Sequence, residues 1–327
     1  MNDTVQTDEG ARPDEAGRRA GFAAIIGAPN AGKSTLVNRL VGSKVSIVTR
    51  KVQTTRFNVR GVAMAGLSQI VLVDTPGIFK PRRRLDRSMV KAAWSGAADA
   101  DVVVHLVDAE GEVAVTENTA KGAERLGMED RESITDSLSK SGRKAILALN
   151  KIDLVRREKL LALAQGLFDT GVYSEAFMIS AEKGSGVDDL KARLAELMPE
   201  GPWLYPEDQV ADLPTRLLAA EITREKIYLR LHEELPYSAA VETTAFAEHP
   251  KDGGVRIEQN IYVEREGQRP IVLGKSGQTL KWIGQKSREE LVELLGRPVH
   301  LFLHVKVDEK WQDRRELYTG VGLEFDA

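Results

Sequence analysis

A glycine-rich segment near the start of the chain, GAPNAGKST (27–35), has residue types and a spacing that suit a phosphate chain. Its two glycines are followed by a lysine and a hydroxyl, as in the pattern G-x-x-x-x-G-K-[ST]. Backbone N–H groups in such a loop surround phosphates at a helix N-terminus, whose dipole favours negative charge. We therefore predict that Lys33 bridges the β- and γ-phosphates and that Ser34 ligates Mg²⁺. The predicted loop comprises Gly27, Ala28, Pro29, Asn30, Ala31, Gly32, Lys33, Ser34 and Thr35.

Three more motifs stand at the ends of apolar runs, where open α/β sheets bind ligands. DTPG (74–77) ends QIVLVD; Asp74 is suited to hold Mg²⁺ through water, and the Gly77 N–H to meet the γ-phosphate. NKID (150–153) ends AILALN, and its aspartate can accept two donors that guanine has and adenine lacks. SAEKG (180–184) follows the next strand and offers backbone groups to the guanine oxygen. The predicted nucleotide-binding residues here are Asp74, Thr75, Pro76, Gly77, Asn150, Lys151, Asp153, Ser180, Ala181 and Glu182.

The segment TTR (54–56) stands where a loop that senses the γ-phosphate belongs, and we favour Thr55 over Thr54 as its Mg²⁺ ligand. Ile78 follows DTPG where many GTPases have a glutamine that orients the attacking water, and isoleucine makes no hydrogen bond. Hydrolysis must rely on backbone positioning, another side chain or a metal ion, and we predict that it is slow without a stimulus. The predicted metal ligands are Ser34, Thr55 and Asp74, and the predicted catalytic residues are Lys33, Thr55 and Gly77.

The composition favours a globular protein of two domains. The chain has 327 residues, of which 42% are hydrophobic and 29% charged, and its net charge is −3. The whole chain is therefore not a basic nucleic-acid binder, although a local basic face stays open. The absence of cysteine excludes disulfides, thiolate catalysis and cysteine metal sites. No apolar run approaches the ~18 residues that span a bilayer, and residues 1–20 have no signal-peptide core and are predicted to be disordered.

Short, near-continuously apolar runs alternate with helical patterns over 21–200, which predicts a doubly wound, mostly parallel α/β domain. Within it, the polar stretch 117–144 is expected to be a loop or a frayed helix after residue 128. Residues 201–214 belong to a proline-rich stretch and are predicted to be a linker. Residues 215–327 then combine helices and strands as a small α+β domain, in which the segment from 269 is expected to begin with a short strand.

The loop GKSG (274–277) precedes an amphipathic helix in this second domain, as in KH domains, whose G-x-x-G loop clamps a nucleic-acid backbone. We predict a type II KH domain, with RNA contacts from Gly274, Lys275, Ser276, Gly277, Lys281, Lys286 and Arg288. The cluster TREKIYLR (223–230) either extends a basic face or forms an ordinary solvated helix face. His300 and His304 lie about 13 Å apart along one strand, so we expect no metal site between them.

The motifs GAPNAGKST, QTTRF, DTPGIF, NKID, SAEKG, AEITREKIYLRLHEELPYS and GKSG with KWIGQKSREELVELL together resemble the Era family of bacterial GTPases, over roughly 20–325. The resemblance implies a GTP-dependent factor in small ribosomal subunit maturation. Its KH domain would bind single-stranded RNA at the 3′ end of the small-subunit rRNA. It further implies GTP/GDP and Mg²⁺ as ligands and a cytoplasmic location, partly peripheral on the inner face of the inner membrane.

Some GTPases related to this family hold K⁺ near the phosphates with a P-loop asparagine. Asn30 occupies that position, which gives the hypothesis of a K⁺ site. The chain shows no sign of stable oligomers, so we expect a monomer.

The expected mechanism is order–disorder switching. The γ-phosphate and Mg²⁺ would order the loops near Thr55 and Asp74–Gly77, and this would reposition the KH domain to accept RNA. Two alternatives stay open: an RNA-binding nucleotide sensor with negligible hydrolysis, and a P-loop metabolic or tRNA-modification enzyme. A turnover measurement separates the first from a GTPase, and the lack of a further cofactor motif disfavours the second.

Overall fold

The computed structural model of the chain describes residues 17–49, 51–231, 235–250 and 252–327, so most of the tail predicted to be disordered lies outside the described residues. Within these ranges the first domain is built on a seven-stranded sheet in the order β6-β5-β4-β1-β3-β2-β7. The strands are β1 (Arg19–Ile26), β2 (Val59–Ala65), β3 (Ser68–Asp74), β4 (Val102–Asp108), β5 (Ala145–Asn150), β6 (Tyr173–Met178) and β7 (Ala211–Asp212). In the described part of this sheet β2 is the one strand that runs in the opposite direction, since it pairs antiparallel with both β3 and β7 and all other pairs are parallel.

Helices cover both faces of this sheet, which confirms the doubly wound α/β prediction. They are α1 (Lys33–Val41), α2 (Arg84–Asp99), α3 (Ala109–Thr116), α4 (Gly122–Ser141), α5 (Arg157–Phe168) and α6 (Val187–Leu197). Helices α1 and α6 pack on one face, and α2, α4 and α5 on the other. The sheet is buried on both sides, and its central strands accordingly read as continuous apolar runs.

Two segments of this domain differ from the sequence prediction. The polar stretch 117–144 contains the 20-residue helix α4, which Ile134 and Leu138 anchor in the core. A few apolar residues one turn apart are enough to hold this helix against the sheet, although the polar residues around them hid the helical period in the sequence. Strand β2 was missed because Arg60 and Gly61 interrupt its apolar run; a Cβ on Gly61 would lie 2.7 Å from Cγ2 of Val41, so α1 packs against bare backbone there.

The stretch predicted as a linker packs on the first sheet. Strand β7 pairs with β2 at its edge. The buried amide of Gln69 accepts from the N–H groups of Leu204 and Tyr205 at 2.8 and 2.9 Å and donates to the Tyr205 carbonyl at 2.8 Å. The prolines therefore mark an irregular but anchored segment.

The second sheet has the order β10-β9-β8, and β9 pairs parallel with β10 and antiparallel with β8. The helices and strands of this second domain are α7 (Thr215–Arg230), β8 (Ala239–Glu248), β9 (Val255–Val263), α8 (Gln268–Leu273), α9 (Gln278–Leu295), β10 (Val299–Val307) and α10 (Arg315–Thr319). The short strand expected from 269 is wrong, since RPIVL belongs to α8, with Pro270 in the first turn, where no helical N–H bond is lost. No helix among the described residues is long and apolar enough to cross a membrane.

An apolar cluster joins the two domains. It takes Phe57, Val59, Leu85 and Met89 from the first domain and Ala240, Tyr262, Trp311, Tyr318 and Leu323 from the second. Trp311 and Tyr318 are 2% and 1% exposed, as expected of core residues. The second sheet is thus packed against Phe57 and Val59, which follow TTR in the chain.

Candidate nucleotide site and its link to the KH domain

The phosphate loop runs between β1 and α1. Atoms close to Gly27 and Gly32 leave no space for a side chain at either position. A Cβ on Gly27 would lie 2.4 Å from the Leu106 carbonyl oxygen, and one on Gly32 would lie 2.3 Å from Nδ2 of Asn150. Gly32 also has φ 99°, in the left-handed region that favours glycine. The loop can therefore follow this path only with glycine at these positions.

Lys33 is the buried cation of this loop. Its side chain is 6% exposed, and Nζ donates to the carbonyl oxygens of Gly27 and Ala28 at 3.1 and 2.9 Å. Burial lowers the pKa of Lys33 to about 8, and the charge of Asp74 opposes this. An anionic ligand beside the ammonium would supply the missing counter-charge, which is what a phosphate chain offers.

Ser34, Thr55 and Asp74 converge as the sequence predicted for a metal set. Ser34 Oγ and Thr55 Oγ1 lie 2.8 Å apart and donate to Asp74 Oδ2 at 2.7 and 3.2 Å. Asp74 is fully buried, which raises its pKa, and its Oδ1 has no hydrogen-bond partner among the described residues. Hydroxyl and carboxylate oxygens with an unused lone pair fit a hard cation such as Mg²⁺. Thr54 instead bonds Thr49 Oγ1 at 2.7 Å and the Lys51 carbonyl at 2.8 Å.

DTPG lies directly against the phosphate loop. A Cβ on Gly77 would lie 2.9 Å from Cγ of Pro29, and the Ile78 N–H donates to the Gly27 carbonyl at 3.1 Å. The Thr75 hydroxyl donates to the Ile25 carbonyl at 2.7 Å, so this side chain braces the loop. Ile78 is 4% exposed and packs in the core, so its side chain does not reach a substrate water.

The side-chain amide of Asn150 links NKID, SAEKG and the phosphate loop. Asn150 Nδ2 donates to the Ala31 carbonyl at 2.8 Å, and its Oδ1 accepts from the Ala181 N–H at 2.9 Å. It therefore ties the phosphate loop to SAEKG. Lys151 pairs with Asp108, and Asp153 is exposed at the rim.

The segment 44–49 and 51–57, which we call switch I, lies along helix α7 at the start of the second domain. Glu225 accepts from the Val48 N–H at 3.0 Å and pairs with Lys44 at 2.7 Å. Lys51 donates to two carbonyls at the end of α7, and Arg224 donates to the Thr54 carbonyl. The switch is therefore bonded to the second domain along most of its length.

Arg56, which sequence reasoning did not single out, is the hub of this contact. It is 7% exposed and donates to the carbonyls of Ala239, Pro236 and Tyr237 at 2.8, 3.4 and 3.3 Å, and to the Tyr228 hydroxyl at 3.2 Å. Its neighbour in the chain, Thr55, belongs to the metal set. The only sequence signal was an arginine next to a switch threonine, which is not specific.

The buried cations of TREKIYLR (223–230) neither extend a basic face nor lie on a solvated helix face. Arg224 and Lys226 are 2% and 8% exposed. Arg224 pairs with Glu221, and Lys226 pairs with Glu225 and Glu290. These acidic partners and the overlying switch remove both cations from any RNA-facing surface, whereas Arg230 is exposed over the Trp282 ring.

The comparisons with known proteins agree with this two-part site. Residues 22–151 match the family described as 50S ribosome-binding GTPase, and residues 234–312 match the KH domain family. The chain is 68% identical over 309 residues to GTPase Era of Caulobacter vibrioides, which covers 94% of this chain and 98% of the relative. Against GTPase Era of Maricaulis maris the identity is 62% over 310 residues, with 95% and 98% covered. The chain belongs to the Era family of GTPases.

Two solved Era structures match the fold over 93% of this chain and 99% of theirs. One is Era in complex with MgGDPNP and nucleotides 1506–1542 of 16S ribosomal RNA, with TM-score 0.83 and 39% identity. The other is Aquifex aeolicus Era Y63A bound to GDP·AlF4⁻, with TM-score 0.80 and 38% identity. The predicted fold, a P-loop GTPase domain followed by a KH domain, and the GTPase class are therefore confirmed for this Era-family chain.

The GKSG loop of this Era-family chain sits at the start of α9. Gly274 and Gly277 have φ 71° and 74°, and the Gly277 N–H donates to the Gly274 carbonyl at 3.0 Å. Lys275 and Lys281 are exposed and make no ion pair within the described ranges. Lys286 pairs with Glu289 at 2.7 Å. The GKSG loop and Lys281 thus lie at the N-terminal end of α9, whereas Lys286 and Arg288 lie in the middle of the helix, and Lys286 has an acidic partner of its own.

Proposed function

We propose that this chain binds and hydrolyses GTP with Mg²⁺ and binds single-stranded RNA near the 3′ end of the small-subunit rRNA, as a small-subunit maturation factor. The observation that carries the proposal is the adjacency of Thr55 and Arg56. Thr55 is a member of the metal set, and Arg56 is buried against the KH domain. The complex of the relative Era with MgGDPNP and 16S ribosomal RNA supports both ligands.

We assign the nucleotide chemistry to the residues predicted from the motifs. The Lys33 ammonium would hold the β- and γ-phosphates, and the Gly77 N–H the γ-phosphate. Ser34, Thr55 and Asp74 would hold Mg²⁺ directly or through water, and bound Mg²⁺ neutralises charge on the phosphate oxygens. At the other end, Asp153 would accept two guanine donors, the stem of Lys151 would cover the base, and Ser180 and Ala181 would meet its oxygen through their backbone.

We propose that intrinsic turnover is slow, because the Ile78 side chain is buried and offers no hydrogen bond to a substrate water. The K⁺ hypothesis is supported by the exposure of Asn30, which leaves its side chain accessible to an ion. Turnover that is equal in K⁺ and Na⁺ buffers would remove K⁺ from the proposal.

We propose that switch I transmits the nucleotide state to the KH domain. Movement of Thr55 toward a bound Mg²⁺ and γ-phosphate would pull on Arg56, whose acceptors lie in the segment between α7 and β8. This movement would reposition the KH domain relative to the first domain so that the exposed GKSG loop can take RNA. By linkage, RNA would then favour the GTP state.

GTP turnover in K⁺ buffer, with and without a short RNA of the small-subunit rRNA 3′ end, tests the proposed function. We expect stimulation by this RNA and not by a scrambled sequence of the same length. Turnover that is the same with and without the RNA would leave the GTPase assignment intact and overturn the proposed coupling between hydrolysis and the KH domain.

Four finer assignments are proposals that rest on the sequence and the family resemblance. They are a monomeric state, a cytoplasmic location, a peripheral contact with the inner membrane, and the domain division 1–20, 21–200, 201–214 and 215–327. Sedimentation velocity tests the first, and flotation with anionic vesicles tests the membrane contact. Limited proteolysis tests the division; the anchoring of Leu204 and Tyr205 predicts protection of the segment 201–214.

A further inference from the structure

We propose a transition-metal site formed by His249, Asp252 and His300, at the end of the KH sheet away from the GKSG loop. The ligand would be a borderline divalent cation such as Zn²⁺ or Ni²⁺. One ligand atom from each residue lies within 4.8 Å of the other two. His300 was compared in the sequence with His304, four residues along the same strand, but the fold gives it different neighbours.

The three side chains face one another closely. His249 Nδ1 lies 2.8 Å from Asp252 Oδ1, and His300 Nε2 lies 2.7 Å from Asp252 Oδ2. The two imidazole rings have centroids 4.1 Å apart at an interplanar angle of 33°. One carboxylate thus stands between two imidazole nitrogens, with a ligand atom of each already pointed at it.

The backbone holds this arrangement in place. His249 and Asp252 lie in the β8–β9 hairpin, and His300 lies near the start of β10. The Val255 N–H donates to the Pro298 carbonyl at 2.9 Å, which ties the hairpin to β10. A Cβ on Gly254 would lie 2.6 Å from the same carbonyl oxygen, so only glycine permits this approach. The Gly254 N–H also donates to Asp252 Oδ1 at 3.0 Å and orients the carboxylate.

The donor set selects the class of metal. Imidazole nitrogen with one carboxylate suits Zn²⁺, Ni²⁺ and Cu²⁺, whereas Mg²⁺ and Ca²⁺ prefer oxygen ligands. A cation between the groups would take the place of the hydrogen bonds between each imidazole and Asp252. Each neutral ring would bind it through the nitrogen that faces Asp252 and carry its proton on the other ring nitrogen. The side chains are 26%, 38% and 36% exposed for His249, Asp252 and His300, so a further coordination position is open to water.

This site is separate from the Mg²⁺ and RNA sites. Helix α9 begins at the GKSG loop and ends just before β10, and its 18 residues span about 27 Å. A metal bound here would fasten the hairpin to β10 without touching the GKSG loop. The inference therefore stands whether or not the proposed RNA binding is correct.

The test is calorimetric titration of the full chain with Ni²⁺. The protein carries no histidine tag and is loaded with GDP in excess Mg²⁺, so that the G-domain metal site is filled. We expect one saturable site in the wild type. His300→Ala and Asp252→Asn should each weaken it at least tenfold, while His304→Ala, which removes an exposed histidine from the same strand face, should leave it unchanged.

Circular dichroism and GDP binding establish that each variant is folded before titration. Wild-type affinity in both His300→Ala and Asp252→Asn would overturn the site. So would equal losses in His300→Ala and His304→Ala, or the absence of a saturable site in the wild-type protein.

Discussion

The phosphate loop and the GKSG loop use the same local device in different surroundings. Each places glycine and lysine at the start of a helix, where unpaired N–H groups attract phosphate. Lys33 is 6% exposed, and the phosphate loop around it is contacted by Gly77 of DTPG, by Leu106 of β4 and by Asn150 at the end of β5. Lys275 is exposed, and close contacts to its loop come from Thr279 of the following helix. A buried loop can define one ligand geometry, whereas an exposed loop holds a backbone and leaves base selection to other groups.

The largest expected effect is at the buried lysine. Lys33→Met should lower GTP turnover by about 100- to 1,000-fold, because the ammonium meets charge that develops on the transferred phosphoryl group. Single-turnover hydrolysis of radiolabelled GTP measures it. Lys275→Met is the matched control and should leave turnover without RNA unchanged; similar losses in both variants would remove the contrast between the loops.

The base-binding end gives the next effect. Asp153→Asn should weaken GTP binding by about 100-fold, since the amide cannot accept both guanine donors. The same variant should bind xanthosine triphosphate better than the wild type does, because xanthine offers an acceptor in place of one donor. Competition against a fluorescent GDP measures both nucleotides, and an unchanged preference for GTP would refute the role of Asp153.

The exposed loop should show a smaller effect that depends on salt. Lys275→Met should reduce the slope of log affinity for single-stranded RNA against log salt by about 0.7, the value for one phosphate contact. Lys286→Met should change the slope less, since Lys286 already pairs with Glu289 and lies about 140° around α9 from Lys281. Fluorescence anisotropy at several salt concentrations measures the slope for each variant. Equal slopes for the two variants would contradict the prediction that Lys275 of the GKSG loop contacts an RNA phosphate.

The smallest expected effect is one of pH. The pKa of Lys33 is lowered to about 8 without a ligand, and bound phosphates would raise it. Nucleotide binding should therefore take up a proton near pH 9 and hardly any near pH 7, so affinity falls as pH rises through 8. Calorimetry in buffers of different ionisation enthalpy measures the uptake. The absence of uptake at pH 9 would show that Lys33 stays charged without ligand.

The motifs predicted which segments of the first domain lie close together, because each has a fixed order of residue types at the end of a buried strand. The joint between the domains was not predictable in this way. Arg56, Arg224 and Glu225 are charged residues in polar segments, and only the folded contact shows that they are buried together. The same holds for His249 and Asp252, since no local pattern relates a hairpin to the start of β10.

The measurement that tests the central claim most directly is RNA affinity in the GDP state and in the state bound to a non-hydrolysable GTP analogue, for the wild type and for Arg56→Met. The account predicts tighter RNA binding with the analogue in the wild type, and a ratio near one in Arg56→Met. Arg60→Met, which removes an exposed arginine of β2, should keep the wild-type ratio. A full ratio in Arg56→Met, or a ratio of one in the wild type, would contradict the claim that switch I links the nucleotide to the KH domain.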